Sequence, residues 1–317
     1  MKKVWPHTSR TKLPKNLKPV VDYSLRDLRK IKNYGEKLLP VGFQATEIGR
    51  AVKLIRRMKR ENCTIFFSFT ANMVASGLRG IFKEIVKRKF VDVIITTGGS
   101  IEHDVIRCFA PYFLGDFNMD DVKLHETGIN RLGNILVPTE RYILFEEKIV
   151  NILSDVYEKS KVVSPRELID EIGAHIKCKD SILYWAHKNK IPIFCPGITD
   201  SALGYQFFFF KQEHKDFVVD VTKDMNELAD IVFSAKKTGG IILGGGISKH
   251  HVIGVNIIRG GLDYAVYVTT ATPYDGSLSG AEPKEAKSWG KIKEVGKTVV
   301  VHGDATVIFP LIIAPFL

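Results

Sequence analysis

The chain has 317 residues, 45% hydrophobic and 26% charged, a balance that fits a soluble globular protein with a sizeable core. Its longest apolar run, VIFPLIIAPFL at the C-terminus, is too short and too broken by proline to span a bilayer. The net charge of +11 is uneven: residues 1–60 hold 17 Lys and Arg against 4 Asp and Glu, leaving 29 against 31 for the remaining 257.

The N-terminal stretch MKKVWPHTSRTKLPKN is basic but has no apolar segment, so it does not read as a secretory signal. Its Lys and Pro content predicts an arm. The basic surface over residues 1–60 reads either as solvated helix faces or as a docking surface for an acidic macromolecule. Neither zinc-finger spacing nor an aromatic-interleaved basic groove accompanies it, so direct nucleic-acid binding is not expected. Cys63, Cys108, Cys178 and Cys195 are widely spaced, with no CxxC pair. They read as reduced thiols of a cytoplasmic protein, and no metal site is expected.

From Ser24 to Lys59 the spacing of Leu28, Ile31, Leu38, Leu39, Ile48, Val52 and Ile55 predicts two helices. TIFFSF then reads as a strand, NMVASGLRGIFKEIVKRK as a helix, and VDVIITTGG as a second strand running into IEHDVIRCFA. A less regular stretch contains LGNILVPTERYILFEEKIVNIL, and SPRELIDEIGAHI opens with a Ser-Pro helix start. SILYWAHKNK precedes strand IPIFC. DFVVDV, helix DMNELADIVFSAKK, strand GGIILGG, helix SKHHVIGVNIIRG, strand YAVYVTT, helix PKEAKSWGKI and strand TVVVHGD complete the series. Such alternation predicts an α/β fold: a doubly wound, mainly parallel, Rossmann-like sheet with helices on both faces and a basic N-terminal helical extension. Residues 1–60 form the extension, packed on a single domain over 61–317.

Ligands of such sheets bind beyond the carboxyl ends of the strands. TTGGSIEHD, PGITDSALG, GGGISKHH, TTATPYDGSLSG and HGDATVIF all fall there. Glycine between strand and helix lets backbone amides approach a phosphate, although neither G-x-G-x-x-G nor a P-loop is present. Five such ends favour a nucleotide-type ligand. His250 is a candidate proton carrier. In PKEAKSWGKI, a helical reading sets Glu285 and Trp289 on one face, a seat for an alkylammonium group. Lys291 follows the Trp-Gly pair; on residue chemistry alone it reads as surface charge or, if desolvated, as an amine nucleophile.

The run GGGISKHHVIGVNIIRGGLDYAVYVTTATPYDGSLSGAEPKEAKSWGKIK resembles the C-terminal half of the deoxyhypusine synthase family, with SWGK its most specific motif. TANMVASGLRG, VDVIITTGGSIEHD, PGITDSALG and HGDATVIFP resemble the family in the same order, over roughly residues 60–317. The resemblance implies NAD-dependent transfer of an aminobutyl group from spermidine to one lysine of the translation initiation factor 5A precursor. It implies a homotetramer with sites at dimer interfaces. By it, Lys291 is the nucleophile that forms a covalent imine, and His250 moves protons. Trp289, Glu285, Gly276, Ser277, Glu102 and His103 match substrate contacts. Asn72, Ala75, Thr97, Gly98, Gly99, Asp200, Gly245, Thr270, Ala271, Asp304 and Ala305 match NAD contacts.

Three positions depart from the eukaryotic pattern. Tyr205, Leu278 and His103 stand where eukaryotic members carry acids. A desolvated polyamine wants a carboxylate for each ammonium. The departures leave open a pocket that holds the same amine with other acids, a different donor such as agmatine, or a different acceptor. Homospermidine synthase, which transfers the group to putrescine, is the alternative enzyme reading.

Overall fold

The computed structural model describes residues 11–14 and 16–317; the predicted arm lies partly outside them. Three helices open the described chain: α1 (Leu25–Ile31), α2 (Tyr34–Lys37) and α3 (Phe43–Arg60). Ser24 and Asp27 form a reciprocal capping box at the start of α1. The expected two helices are thus three, with the short α2 between the longer pair.

Strand β1 (Thr64–Ser68) leads to α4 (Ala71–Ala75), α5 (Leu78–Lys87), β2 (Val93–Ile95) and α6 (Gly98–Phe109). The single helix expected over residues 72–89 is broken at Ser76. Its hydroxyl donates to the Met73 carbonyl and accepts from the Leu78 amide, replacing ladder bonds with local ones.

The stretch that read as irregular holds β3 (Phe113–Leu114), β4 (Ile129–Leu132) and β5 (Ile135–Pro138) as a small antiparallel sheet, with α7 (Asp121–Glu126) between β3 and β4. Gly133, at φ +61°, makes the tight β4–β5 turn. The 20-residue α8 (Glu140–Lys159) follows, then β6 (Val162–Val163) and α9 (Pro165–His175). Ser164 caps α9 with Pro165 in its first turn, as the Ser-Pro signal predicts.

The remaining elements are α10 (Ile182–Asn189), β7 (Ile193–Phe194), α11 (Ala202–Glu213), β8 (Val218–Val219), α12 (Asp224–Ser234), β9 (Thr238–Leu243), α13 (Gly246–Val255), β10 (Leu262–Thr269), α14 (Pro283–Ser288), β11 (Ile292–His302) and α15 (Ala305–Ile313). DFVVDV yields only the two-residue β8, which pairs with β6 outside the main sheet.

The main sheet is six-stranded and parallel, in the order β11-β10-β9-β1-β2-β7. Its direction of growth reverses between β1 and β9, the doubly wound pattern the sequence predicts. Alternate residues feed two cores. Ile65, Phe67, Ile241, Leu243, Val266 and Val268 face one, while Phe66, Ile242, Ala265 and Tyr267 face the other. Helix α3 packs against β10, β11 and α15. All carboxyl ends of the strands therefore open onto one edge.

Candidate active site

That edge draws the sequence-predicted strand ends together. A cleft of about 160 Å³ at the ends of β9, β10 and β11 is lined by Asn72, Gly244, Thr270, Asp304, Ala305 and their neighbours. Ala75, the last residue of α4, is buried and does not line the cleft. Ala271 donates its amide to Thr269 Oγ1 at 3.1 Å, shaping the loop beyond β10. Asp304 caps α15 through the Thr306 amide at 2.7 Å.

Glycine allows the close approaches here. A Cβ on Gly98 would lie 2.4 Å from Ser201 Oγ, and one on Gly245 would lie 2.4 Å from Ser279 Oγ. The loop after β7, which carries Asp200, is thereby pressed against the start of α6. Thr97 occupies the N-cap position of α6 without a side-chain cap bond. The first-turn amides of Gly98 and Gly99 are therefore not claimed by a local side chain, and a helix N-terminus in this state suits a pyrophosphate. With the cleft and the glycine approaches, these residues fit a dinucleotide.

The second cluster lies elsewhere. Helix α14 ends at Ser288, and Trp289 is its C-cap. Gly290, at φ +67°, donates to the Lys287 carbonyl, while the Lys291 amide donates to Ala286. These paired bonds form a Schellman ending. The helix expected to run through Lys291 stops three residues earlier because glycine adopts the left-handed conformation cheaply. The turn holds Lys291 Nζ 5.1 Å from the Trp289 ring centroid and 3.3 Å from His250 Nε2 on α13. Partial desolvation, then the charge of Lys291, hold the His250 imidazole below its ordinary value. Glu285 is exposed on α14, and Gly276 and Ser277 lie on the exposed turn before it.

A residue missed by the sequence reading organises this cluster. Lys249 is 1% exposed, and its Nζ donates to the carbonyls of Leu278 and Ala281 at 2.9 and 2.7 Å. It ties the 276–281 loop to α13, beside His250. Burial pushes its ammonium down to about 8, with Glu285 opposing the shift. In a strongly basic chain, a lysine next to two histidines carried no signal of burial.

Glu102 and His103 sit inside α6. Glu102 Oε2 accepts from the Ala202 and Leu203 amides at 2.7 and 3.3 Å, capping α11 from outside. Its burial raises the carboxyl to about 7, against those two bonds. His103 Nδ1 lies 2.9 Å from the Tyr112 hydroxyl, and burial pushes the ring down to about 4. Tyr205 is 59% exposed on α11, and Leu278 packs against the core beneath α13.

The cleft and the lysine stand at opposite ends of one strand. Lys291 immediately precedes β11 and Asp304 lies just beyond it. Ile292 pairs with Leu262 and His302 with Thr269, so the backbones of the two ends are seven steps of β10 apart, roughly 20 Å, a gap that the Lys291 side chain narrows by reaching His250 on α13.

A family model described as deoxyhypusine synthase matches residues 35–316. The chain belongs to the deoxyhypusine synthase family. A Thermoplasma acidophilum protein named "Probable deoxyhypusine synthase" is 48% identical over 95% of this chain and 97% of its own. A Methanocaldococcus jannaschii protein of the same name is 46% identical over 92% of each chain. Among solved structures, a candidate deoxyhypusine synthase from Entamoeba histolytica is 28% identical, with a TM-score of 0.67 over 93% of this chain and 96% of that one.

Proposed function

We propose that this chain is a deoxyhypusine synthase that transfers the 4-aminobutyl group of spermidine to one lysine of the translation initiation factor 5A precursor, with Lys291 as the covalent carrier. The observation that carries this reading is the Lys291–His250–Trp289 cluster, in which an amine meets an imidazole at 3.3 Å and an aromatic ring at 5.1 Å. His250, kept neutral near pH 7, takes the proton that Lys291 must lose before attack. Trp289 offers its face to the cationic donor, and Glu285, Gly276 and Ser277 lie on the adjoining helix and turn.

NAD, when bound, would supply hydride acceptor and donor chemistry to the amine carbon. Thr97, Gly98, Gly99, Asn72, Asp200, Gly245, Thr270, Ala271, Asp304 and Ala305 would hold it at the strand-end crevice. A Lys291 imine survives only where water is excluded.

Hydride transfer needs its partners within about 3–3.5 Å. A site shared between two copies, within the tetramer the family resemblance implies, would bring a partner's crevice to Lys291.

The test is incubation with NAD, labelled spermidine and the factor precursor, followed by borohydride reduction. Label on the precursor is expected; label on putrescine alone would overturn the assignment. A second reading keeps the chemistry but changes the donor. It is favoured by Tyr205, Leu278 and His103, none of which offers a carboxylate to a second ammonium. Transfer from agmatine in place of spermidine is its readout.

A further inference from the structure

Lys249 is a charge that the transfer chemistry leaves unused, buried on the helix that carries His250. Its Nζ donates to the Leu278 carbonyl at 2.9 Å and the Ala281 carbonyl at 2.7 Å. The same nitrogen stands 4.5 Å from the ring centroid of Tyr267, a buried residue of β10. Among the described residues Lys249 makes no ion pair; its hydrogen bonds go to backbone carbonyls. A methionine or leucine would fill this space without the cost of desolvating an ammonium. What the ammonium adds is a grip on two carbonyls of one loop.

That loop, residues 276–281, is held from two sides. Gly276 and Ser277 form its exposed turn, with Gly276 at φ +71°. Within it, the Ser277 amide donates to Asp275 Oδ1 and the Gly280 amide to the Ser277 carbonyl. On the crevice side the links are long: Ser279 Oγ accepts from the Gly246 amide at 3.2 Å, and the Ser279 carbonyl from Thr269 Oγ1 at 3.3 Å. Lys249 makes the shorter links, on the other side. His250, the next residue of α13, meets Lys291 at 3.3 Å. Adjacent residues of one helix thus hold the loop and the reactive pair.

We propose that Lys249 is a positioning residue for the amine donor: its grip on the Leu278 and Ala281 carbonyls holds the Gly276–Ser277 turn at the Lys291–His250 pair. This role rests on the transferase reading, in which Gly276 and Ser277 contact the donor. Buried, Lys249 acts through the loop and not on the donor itself. Its charge strengthens both bonds to the carbonyls. The Ser279 links do not depend on Lys249, so donor and dinucleotide should respond differently to its loss.

The test compares the full-length wild type with Lys249→Met and Lys249→Arg. Hydrogen exchange of the 276–281 segment reads the grip with no ligand present. Fluorescence titration with NAD alone reads the crevice, and transfer of labelled spermidine to the factor precursor gives the donor KM. Lys249→Met should speed exchange in the segment, raise the donor KM about 10-fold or more, and leave NAD affinity within about twofold. Lys249→Arg keeps a cation for the carbonyls and should recover part of the lost KM. If the Met variant does not fold, Lys249→Gln, uncharged but still a donor, should show the same changes to a smaller degree. Unchanged exchange, an unchanged donor KM, or an equal loss of NAD affinity would overturn the proposal, the last by showing a general loss of structure. A wild type that transfers no label would overturn the transferase reading and this role with it. A wild type that transfers, beside a variant of equal KM, overturns this role alone.

Discussion

Lys291 Nζ lies 3.3 Å from His250 Nε2 although 41 residues separate them in the chain. The Schellman turn after α14 and the path of α13 bring the two together. One nitrogen must be a donor and the other an acceptor, so the pair works when the imidazole is neutral.

Borohydride trapping on Lys291 should therefore depend on the His250 proton. His250 titrates below the ordinary histidine value, so it accepts at neutral pH and loses that role only as acid protonates it. Trapping rates should be level near neutrality and fall in a step below about pH 6.5. His250→Gln should remove the step and lower the rate about 10²- to 10⁴-fold, a general-base contribution. An unchanged rate in that variant would reject the assignment. Lys291→Ala should remove the adduct altogether.

Glu102 makes a second pH-dependent prediction, in stability. Its carboxyl is raised to about 7 from 4.5, so the folded state prefers the protonated acid. Its contribution is full below the unfolded value and is lost as pH rises through 7, by about 3 kcal/mol at the limit. Glu102→Gln keeps an acceptor for the Ala202 and Leu203 amides without the charge. Thermal midpoints measured from pH 5 to 8 should show the variant gaining on the wild type as pH rises. Parallel curves would refute this.

The Arg79–Asp104 pair predicts a pH-insensitive loss. Both side chains are nearly inaccessible, and Asp104 also accepts from Ser181 Oγ at 2.6 Å and the Leu183 amide at 3.0 Å. It joins α5, α6 and α10. Asp104→Ala strands the guanidinium and should cost about 3–5 kcal/mol in denaturant unfolding. A loss under 1 kcal/mol would mean that water or Asp22 substitutes.

The order of strands and helices was legible because apolar runs and their punctuation are local. So were the crevice residues, since any residue between strand and helix falls on the carboxyl edge. The end of α14 was not: the apolar pattern of PKEAKSWGKI continues through Lys291, and only the Gly290 conformation stops it. Nor was the neutral state of His103, set by burial against elements beyond the helix. Lys249 was hidden for the same reason. Its partners, the Leu278 and Ala281 carbonyls, are backbone groups with no signature in sequence.

A site shared between two copies makes the last prediction. If each site joins the lysine of one copy to the cleft of another, two different defects should complement. Lys291→Ala removes the nucleophile and leaves the cleft intact. Thr270→Arg fills the cleft, since Thr270 lines it and is exposed, while leaving Lys291 in place. Each variant alone should be inactive. After subunit exchange, half of the dimers are mixed, and each mixed dimer holds one site with an intact cleft and an intact lysine beside one doubly defective site. The mixture should recover about a quarter of wild-type activity. A site contained within one chain gives no recovery at any mixing ratio, because no chain in the mixture carries both parts.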